Sequence, residues 1–94
     1  MANQKAIYSA HHAILVRRIR EARQAAGITQ TELATRLGKR SHTAIVKLEQ
    51  GQVRVEVIEL RKLCLALGIP FRAFVDGLEE ELERAEPDLP SPNS

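Results

Sequence analysis

The sequence predicts an all-α protein of five helices. Apolar residues recur at steps of three and four along almost the whole chain of 94 residues, which is the period of an amphipathic helix. Proline is absent before Pro70, and no segment alternates apolar and polar residues as a half-buried strand would. The length corresponds to one domain. We expect this domain at residues 9–84, between a flexible N-terminus at 1–8 and a disordered, proline-rich tail at 85–94.

Helix 1 is predicted to start at Ser9, because serine is a favourable N-cap residue. It is predicted to run to Ala26, since Gly27 follows where a left-handed C-cap residue belongs. The apolar residues expected to form its inner face are Ile14, Leu15, Ile19, Ala22 and Ala26.

Helices 2 and 3 are predicted to be short. Helix 2 should open at Thr29, because Thr29 and Glu32 have the spacing of a capping box, and Gly38 should end it. Helix 3 is predicted over residues 42–50, with Ser41 as its N-cap residue. The positions expected to be buried are Leu33, Ala34, Leu37, Ile45 and Leu48.

Helix 4 is predicted over residues 56–67, and helix 5 from Pro70, which the first helical position tolerates, to about residue 84. Helix 4 carries its apolar positions at Val57, Leu60, Leu63, Cys64 and Leu67. Helix 5 carries an apolar stripe at Phe71, Phe74, Val75, Leu78 and Leu82. The first three residues of this stripe are expected to cover the core, and the last two to remain free for a partner.

Charge is unevenly divided along the chain. Residues 1–62 contain twelve Lys and Arg against five Asp and Glu, whereas residues 63–94 contain two against seven. The net charge of +2 therefore combines a basic front part with an acidic rear part. A basic front favours a polyanionic partner, although an ordinary charged surface followed by an acidic tail would give the same totals.

The most specific part of the sequence is residues 28–51, ITQTELATRLGKRSHTAIVKLEQG. Two short helices joined by a tight turn can form a simple helical hairpin. However, TQTELATRLG at 29–38 and VKLEQG at 46–51 resemble the helix-turn-helix of the Cro/phage-repressor-like (XRE) family. RRIREARQAAG at 17–27 and VEVIELRKLCLALGI at 55–69 are similar to the first and fourth helices of that family.

The resemblance covers about residues 13–75 and implies a lambda-repressor-like DNA-binding domain with its helix-turn-helix at helices 2 and 3. It implies that helix 3 enters the DNA major groove as the recognition helix, and the family's base-contacting positions fall on Ser41, His42, Thr43 and Lys47. One residue more than in the usual family pattern separates Gly38 from Glu49, so the assignment at 41–43 is open by one position.

Two further roles follow from the resemblance. Gln30 matches a glutamine that bridges a DNA phosphate and the start of the recognition helix. Arg23 and Glu49 match a pair that connects helix 1 to the end of helix 3. From the residues alone, cations and one apolar side chain near helix 3 are further candidates for DNA contact. Lys39, Arg40, Arg54 and Arg17 are candidates for phosphate contacts. Val46 is either a contact for a thymine methyl group or an ordinary surface valine.

The expected function is a sequence-specific DNA-binding regulator of transcription that acts as a homodimer on a palindromic operator. Its partner would be double-stranded DNA, and the dimer interface would lie on helix 5 at Phe74, Leu78 and Leu82. Two alternatives stay open. The chain could be the antitoxin and autoregulator of a toxin–antitoxin pair, or a protein-binding adaptor that has lost contact with DNA.

Other classes of function are not expected. No set of catalytic groups is visible, so we expect neither an enzyme nor a cofactor. The histidines and Cys64 lack the spacing of metal ligands. No run of about 18 apolar residues could span a membrane. The single cysteine and the absence of a signal-peptide pattern predict a cytoplasmic protein.

Overall fold

The computed structural model describes residues 9–85. These residues form five helices and no strand: α1 (Ala10–Ala25), α2 (Gln30–Arg36), α3 (Thr43–Glu49), α4 (Val57–Leu67) and α5 (Phe71–Arg84). The prediction of an all-α fold of five helices is confirmed. The predictions of a flexible N-terminus at 1–8 and of a disordered tail at 85–94 lie outside the described residues, except for Ala85, whose N–H donates to the backbone of the last turn of α5.

Local sequence determines where several helices begin and end. The hydroxyl of Ser9 accepts a hydrogen bond from the backbone N–H of His12 at 3.1 Å, which caps α1. The capping box of α2 is complete, because the Thr29 hydroxyl accepts from the Glu32 N–H at 3.0 Å and the Glu32 carboxylate accepts from the Thr29 N–H at 2.9 Å. Gly68 ends α4 with a φ of 74°, a left-handed conformation that glycine adopts without a steric cost.

Helix α3 starts one residue later than predicted. Thr43 is its first residue, and His42 occupies the N-cap position without a side-chain capping bond. Ser41, predicted as the N-cap residue, instead lies in the turn, although its Oγ accepts a hydrogen bond from the Thr43 N–H at 3.3 Å. The later start leaves residues 37–42 between α2 and α3.

The core is aliphatic and draws on every helix. α1 packs against α3, α4 and α5, and α2 packs against α3 and α4. The largest fully buried side chains are Ile19, Leu33, Ile45, Leu63 and Cys64. α5 contributes Phe74, which is 7% exposed. These residues hold α2 and α3 on the body of the molecule, and this positions the candidate site.

A few apolar residues lie elsewhere than predicted. Val16 is buried on α1, whereas Ala26 is exposed beyond its last turn. Val57 is 68% exposed and Val75 is 37% exposed, although both were expected to face the core. Leu78, expected to remain free for a partner, packs against the core. Val57 and Val75 lie at the end and the edge of their apolar stripes, where burial depends on helix crossing angles rather than on sequence spacing. Leu78 lies within the stripe of α5, one turn after the buried Phe74.

A charged cluster attaches the second half of α5 to α1. The Glu81 carboxylate accepts hydrogen bonds from the Arg17 guanidinium and from Nη1 of Arg18, the latter at 2.8 Å. One turn earlier on α5, Gly77 leaves room for Arg18, since a Cβ atom at position 77 would lie 2.5 Å from Nη2 of Arg18. The glycine in the apolar stripe of α5 therefore permits the approach of this guanidinium.

We expect the substitution Thr29→Ala to lower the free energy of unfolding by about 1 kcal/mol, because α2 would lose the acceptor for its third N–H group. Urea denaturation followed by circular dichroism at pH 7 measures this change. Thr31→Ala is the matched control, because Thr31 is exposed on the same helix and lies outside the capping box. Equal losses in the two variants would contradict a role for the cap.

The contribution of this cap to the free energy of unfolding should also depend on pH. The hydrogen bond from the Thr29 backbone N–H lowers the pKa of the Glu32 carboxyl group below its ordinary value of 4.5. A carboxyl group whose pKa is lowered by folding stabilises the protein above its unfolded pKa, and this stabilisation is lost as the pH falls through the folded pKa. At pH 5 the wild type should therefore have a higher free energy of unfolding than Glu32→Gln, and this difference should shrink as the pH falls further. A difference that does not change with pH would contradict this assignment.

Candidate nucleic-acid interface

A buried ion pair attaches the C-terminal end of α3 to α1. Nε of Arg23 donates to Oε2 of Glu49 at 2.6 Å, and Nη2 donates to Oε1 at 3.1 Å. The two residues are only 9% and 7% exposed, so salt and water screen the pair weakly. Nη1 of Arg23 also donates to the carbonyl oxygen of Ile28 at 2.8 Å. One guanidinium group therefore connects α1, the loop before α2 and the end of α3.

Gln30 joins the same network from the first turn of α2. Its Nε2 donates to Oε1 of Glu49 at 3.0 Å. The contact is thus with the end of α3, whereas the resemblance had implied its start. An amide nitrogen carries two N–H groups, so Gln30 retains a donor for a phosphate oxygen while it holds Glu49. The first turn of α2 adds backbone N–H groups that lack acceptors within the helix and attract anions.

Helix α3 buries its apolar side and exposes its polar side. Ile45 and Leu48 are 1% and 5% exposed, and they pack in the core with Leu33 and Ala34 of α2. On the opposite side, Lys47 is exposed. The helix has only seven residues, and isolated helices of this length are unstable. Its orientation therefore depends on these apolar contacts and on the ion pair of Glu49.

The predicted DNA-contacting residues lie at the start of α2, along α3 and in the loops on either side of α3. Three of them, Ser41, His42 and Thr43, are exposed where the turn passes into α3. Val46 is half-buried on α3, so only part of its side chain can meet a ligand. The cations in the flanking loops, Lys39, Arg40 and Arg54, are exposed.

An open groove of about 550 Å³ lies between α3 and the start of α4. Lys39, Lys47 and Arg54 line it, although they come from three different parts of the chain. Two acidic residues that the sequence reasoning did not assign to the site, Glu56 and Glu59, line the same groove. Nζ of Lys39 lies 3.9 Å from Oε2 of Glu59. A phosphate that binds Lys39 must therefore compete with a carboxylate.

His12 is a further residue that the sequence reasoning missed. Its Nε2 lies 3.1 Å from the carbonyl oxygen of Val53, and because a carbonyl oxygen only accepts, the ring donates this hydrogen bond. Val53 directly precedes Arg54, so the bond holds the loop that carries Arg54 against α1. The sequence does indicate that His12 faces inward, because it lies four residues before Val16 and therefore on the buried side of α1.

The described residues carry few features of other kinds of site. Within residues 9–85, no group of three or more His, Cys, Asp and Glu side chains is arranged to hold a metal ion. Burial raises the pKa of the Cys64 thiol, as expected of a residue that fills the core. None of the helices in this part of the chain is long and apolar enough to cross a membrane.

Comparison with known proteins shows that this chain is similar to helix-turn-helix proteins. Residues 19–74 match the family model described as helix-turn-helix. An XRE-family like protein from Pseudomonas syringae pv. tomato str. DC3000 is 39% identical, with a TM-score of 0.71 over 77% of this chain and 87% of that one. The restriction-modification controller protein C.AhdI from Aeromonas hydrophila is 35% identical, with a TM-score of 0.58 over 69% of this chain and 97% of that one.

A second controller protein is similar in fold alone. The wild-type restriction-modification controller protein C.Esp1396I has a TM-score of 0.74 at 20% identity, over 83% of this chain and 100% of that one. No curated protein sequence matches this chain significantly.

We expect Arg23→Met to lower the free energy of unfolding by about 3–5 kcal/mol, because it leaves the Glu49 carboxylate buried without its cation. Chemical denaturation measures the loss. Arg20→Met is the control, because Arg20 is a half-buried cation on the same helix and lies outside this network. The double variant Arg23→Met with Glu49→Met removes both charges and should be more stable than Arg23→Met alone. A double variant that loses the sum of the two single effects would show that the residues act independently.

Proposed function

This chain belongs to the XRE-type helix-turn-helix family of DNA-binding transcriptional regulators, and from that membership we propose that it binds a palindromic operator as a homodimer. It would regulate transcription by occupying that operator.

The observation that carries this proposal is that α3 is held on the body of the molecule along one side and exposed on the other. The helix is fixed at its end by the buried Arg23–Glu49 pair and along its length by Ile45 and Leu48. Its opposite side, with Lys47, is exposed. A recognition helix must expose polar side chains at a fixed angle, because base edges accept hydrogen bonds only in narrow geometries.

The start of α3 supplies the proposed contacts with bases. In this class of domain the N-terminal residues of the recognition helix contact base edges in the major groove. Ser41, His42 and Thr43 carry groups that donate and accept hydrogen bonds. Lys47, one turn further along α3, donates to guanine O6 and N7 or to a phosphate. Val46 offers its exposed part to a thymine methyl group.

Contacts with the DNA backbone surround these residues. Gln30, Lys39, Arg40 and Arg54 lie at the start of α2 and in the loops that flank α3, where they can bind phosphates on both sides of the groove. Such contacts set affinity and register without selecting sequence. Because Glu59 lies near Lys39, Lys39 gives up a weak ion pair when it binds a phosphate, which reduces its net contribution to affinity.

We infer dimerisation from the small size of the module. One recognition helix contacts too few base pairs to select a site, whereas two copies on a twofold axis bind half-sites about 34 Å apart. α5 is the proposed region of the interface. Of the three interface residues suggested by the sequence, Phe74 fills the core and Leu78 packs against it. Leu82 is the one that remains half-exposed without being assigned to the core.

We expect affinity for duplex DNA to fall steeply with salt. If Lys39, Arg40 and Arg54 of both copies neutralise six phosphates, a plot of log K against log salt concentration should have a slope of about −5. Fluorescence anisotropy with a duplex selected from a random pool measures this slope. A flat response would exclude the proposed phosphate contacts. Failure to select any duplex from the pool would exclude DNA binding and would favour a protein-binding adaptor instead.

We expect Lys47→Ala to weaken binding to the selected duplex by about 1–3 kcal/mol if Lys47 contacts a guanine. A shuffled duplex of equal composition should lose much less affinity, because base contacts determine specificity. Arg84→Ala removes an exposed cation from the end of α5 and serves as the control. Equal losses on the selected and shuffled duplexes would assign Lys47 to phosphate alone.

A further inference from the structure

The exposed side of α4 carries two large apolar residues that the core does not use. Ile58 is 64% exposed and Leu65 is 62% exposed. They are seven residues apart, so they lie on one side of the helix, opposite the buried residues of α4. Two exposed cations, Arg61 and Lys62, lie between them. Together these four residues form what we call the α4 face.

The outer edge of α5 carries two apolar residues at the same spacing, with acidic instead of basic residues beside them. Val75 is 37% exposed and Leu82 is half-exposed, and they are also seven residues apart. Glu79 lies between them and Glu83 follows them, and both are exposed. These four residues form the α5 face. Single exposed apolar residues are ordinary on protein surfaces, but apolar pairs at heptad spacing with adjacent charges are typical of helix–helix interfaces.

We propose that the homodimer forms by reciprocal packing, in which the α4 face of each copy contacts the α5 face of the other. A twofold axis repeats every contact, so one chain must carry both complementary surfaces. The basic α4 face and the acidic α5 face meet this requirement with a second copy of the same chain. This inference rests on the proposed function, which supplies the need for a second copy.

The positions of the charges favour antiparallel packing of the two helices. If Ile58 lies opposite Leu82 of the other copy, Lys62 lies about 6 Å along the axis from Ile58, and Glu79 lies about 4.5 Å along it from Leu82. Both charged residues lie on the same rotational side of their apolar pairs, and these sides meet when the helices run antiparallel. Lys62 and Glu79 would then be close enough to pair across the interface.

The two faces leave the DNA-binding residues free. None of the residues proposed to contact DNA belongs to either face, because those residues lie in α2, in α3 and in the loops that flank α3. The network of Arg23, Gln30 and Glu49 likewise contributes no residue to either face. A dimer formed in this way therefore uses none of the residues proposed to contact DNA.

Charge reversal tests the proposal. Lys62→Glu and Glu79→Lys should each raise the dissociation constant of the dimer about tenfold or more, because each breaks two symmetry-related ion pairs and brings like charges together. The double variant restores opposite charges across the interface and should return to within about threefold of the wild type. Glu80→Lys is the matched control, with the same charge change on the adjacent exposed residue of α5. It should change the constant by less than about twofold.

Sedimentation equilibrium of the full chain measures these constants, and circular dichroism verifies that each variant is folded. Ile58→Glu tests the apolar contact in the same way and should give monomers at concentrations where the wild type is dimeric. A wild-type dimer that none of these substitutions weakens would overturn the reciprocal interface and leave homodimerisation intact. A wild type that is monomeric in solution and bound singly to the selected duplex would overturn both the interface and the homodimeric function.

Discussion

The ion pair of Arg23 and Glu49 is the interaction on which the rest of the site depends. It links three elements, because Arg23 also binds the carbonyl of Ile28 and Glu49 also binds Gln30. A charge transferred from water into the interior is costly unless it is fully paired, so these groups have few alternative arrangements. The pair therefore fixes the orientation of α3 as well as attaching it. Without the pair, the packing of Ile45 and Leu48 alone would hold this helix of two turns.

Much of the fold was predictable from local signals. The capping box at Thr29 and Glu32, the cap at Ser9 and the glycine after α4 each act through residues within a few positions, and the structure agrees with all three. The start of α3 was missed by one residue because His42 takes helical dihedral angles without a capping side chain. No local signal in Ser41-His42-Thr43 distinguishes that arrangement from a helix capped by Ser41.

Contacts between distant parts of the chain within the candidate site were predictable only where the resemblance supplied the pair. Arg23 and Glu49 are 26 positions apart, and no periodicity brings them together. The contact of His12 with the Val53 carbonyl spans 41 positions, and Glu59 approaches Lys39 across the groove. Such contacts depend on how the helices pack on one another, which sequence spacing does not determine. The same limit explains why Val57 and Val75 are exposed although their spacing places them with core residues.

The glycine in α5 has a consequence for the geometry of the whole assembly. A Cβ atom at position 77 would lie 2.5 Å from Nη2 of Arg18, so any side chain there requires the Arg18 guanidinium, which donates to Glu81, to move. The angle at which α5 leaves the body depends on that bond together with the Arg17–Glu81 pair and the buried Phe74. In the proposed dimer this angle determines the separation of the two recognition helices. If the proposed dimer forms, a glycine outside the proposed DNA-contacting residues would thus help to set how many base pairs separate the two halves of its operator.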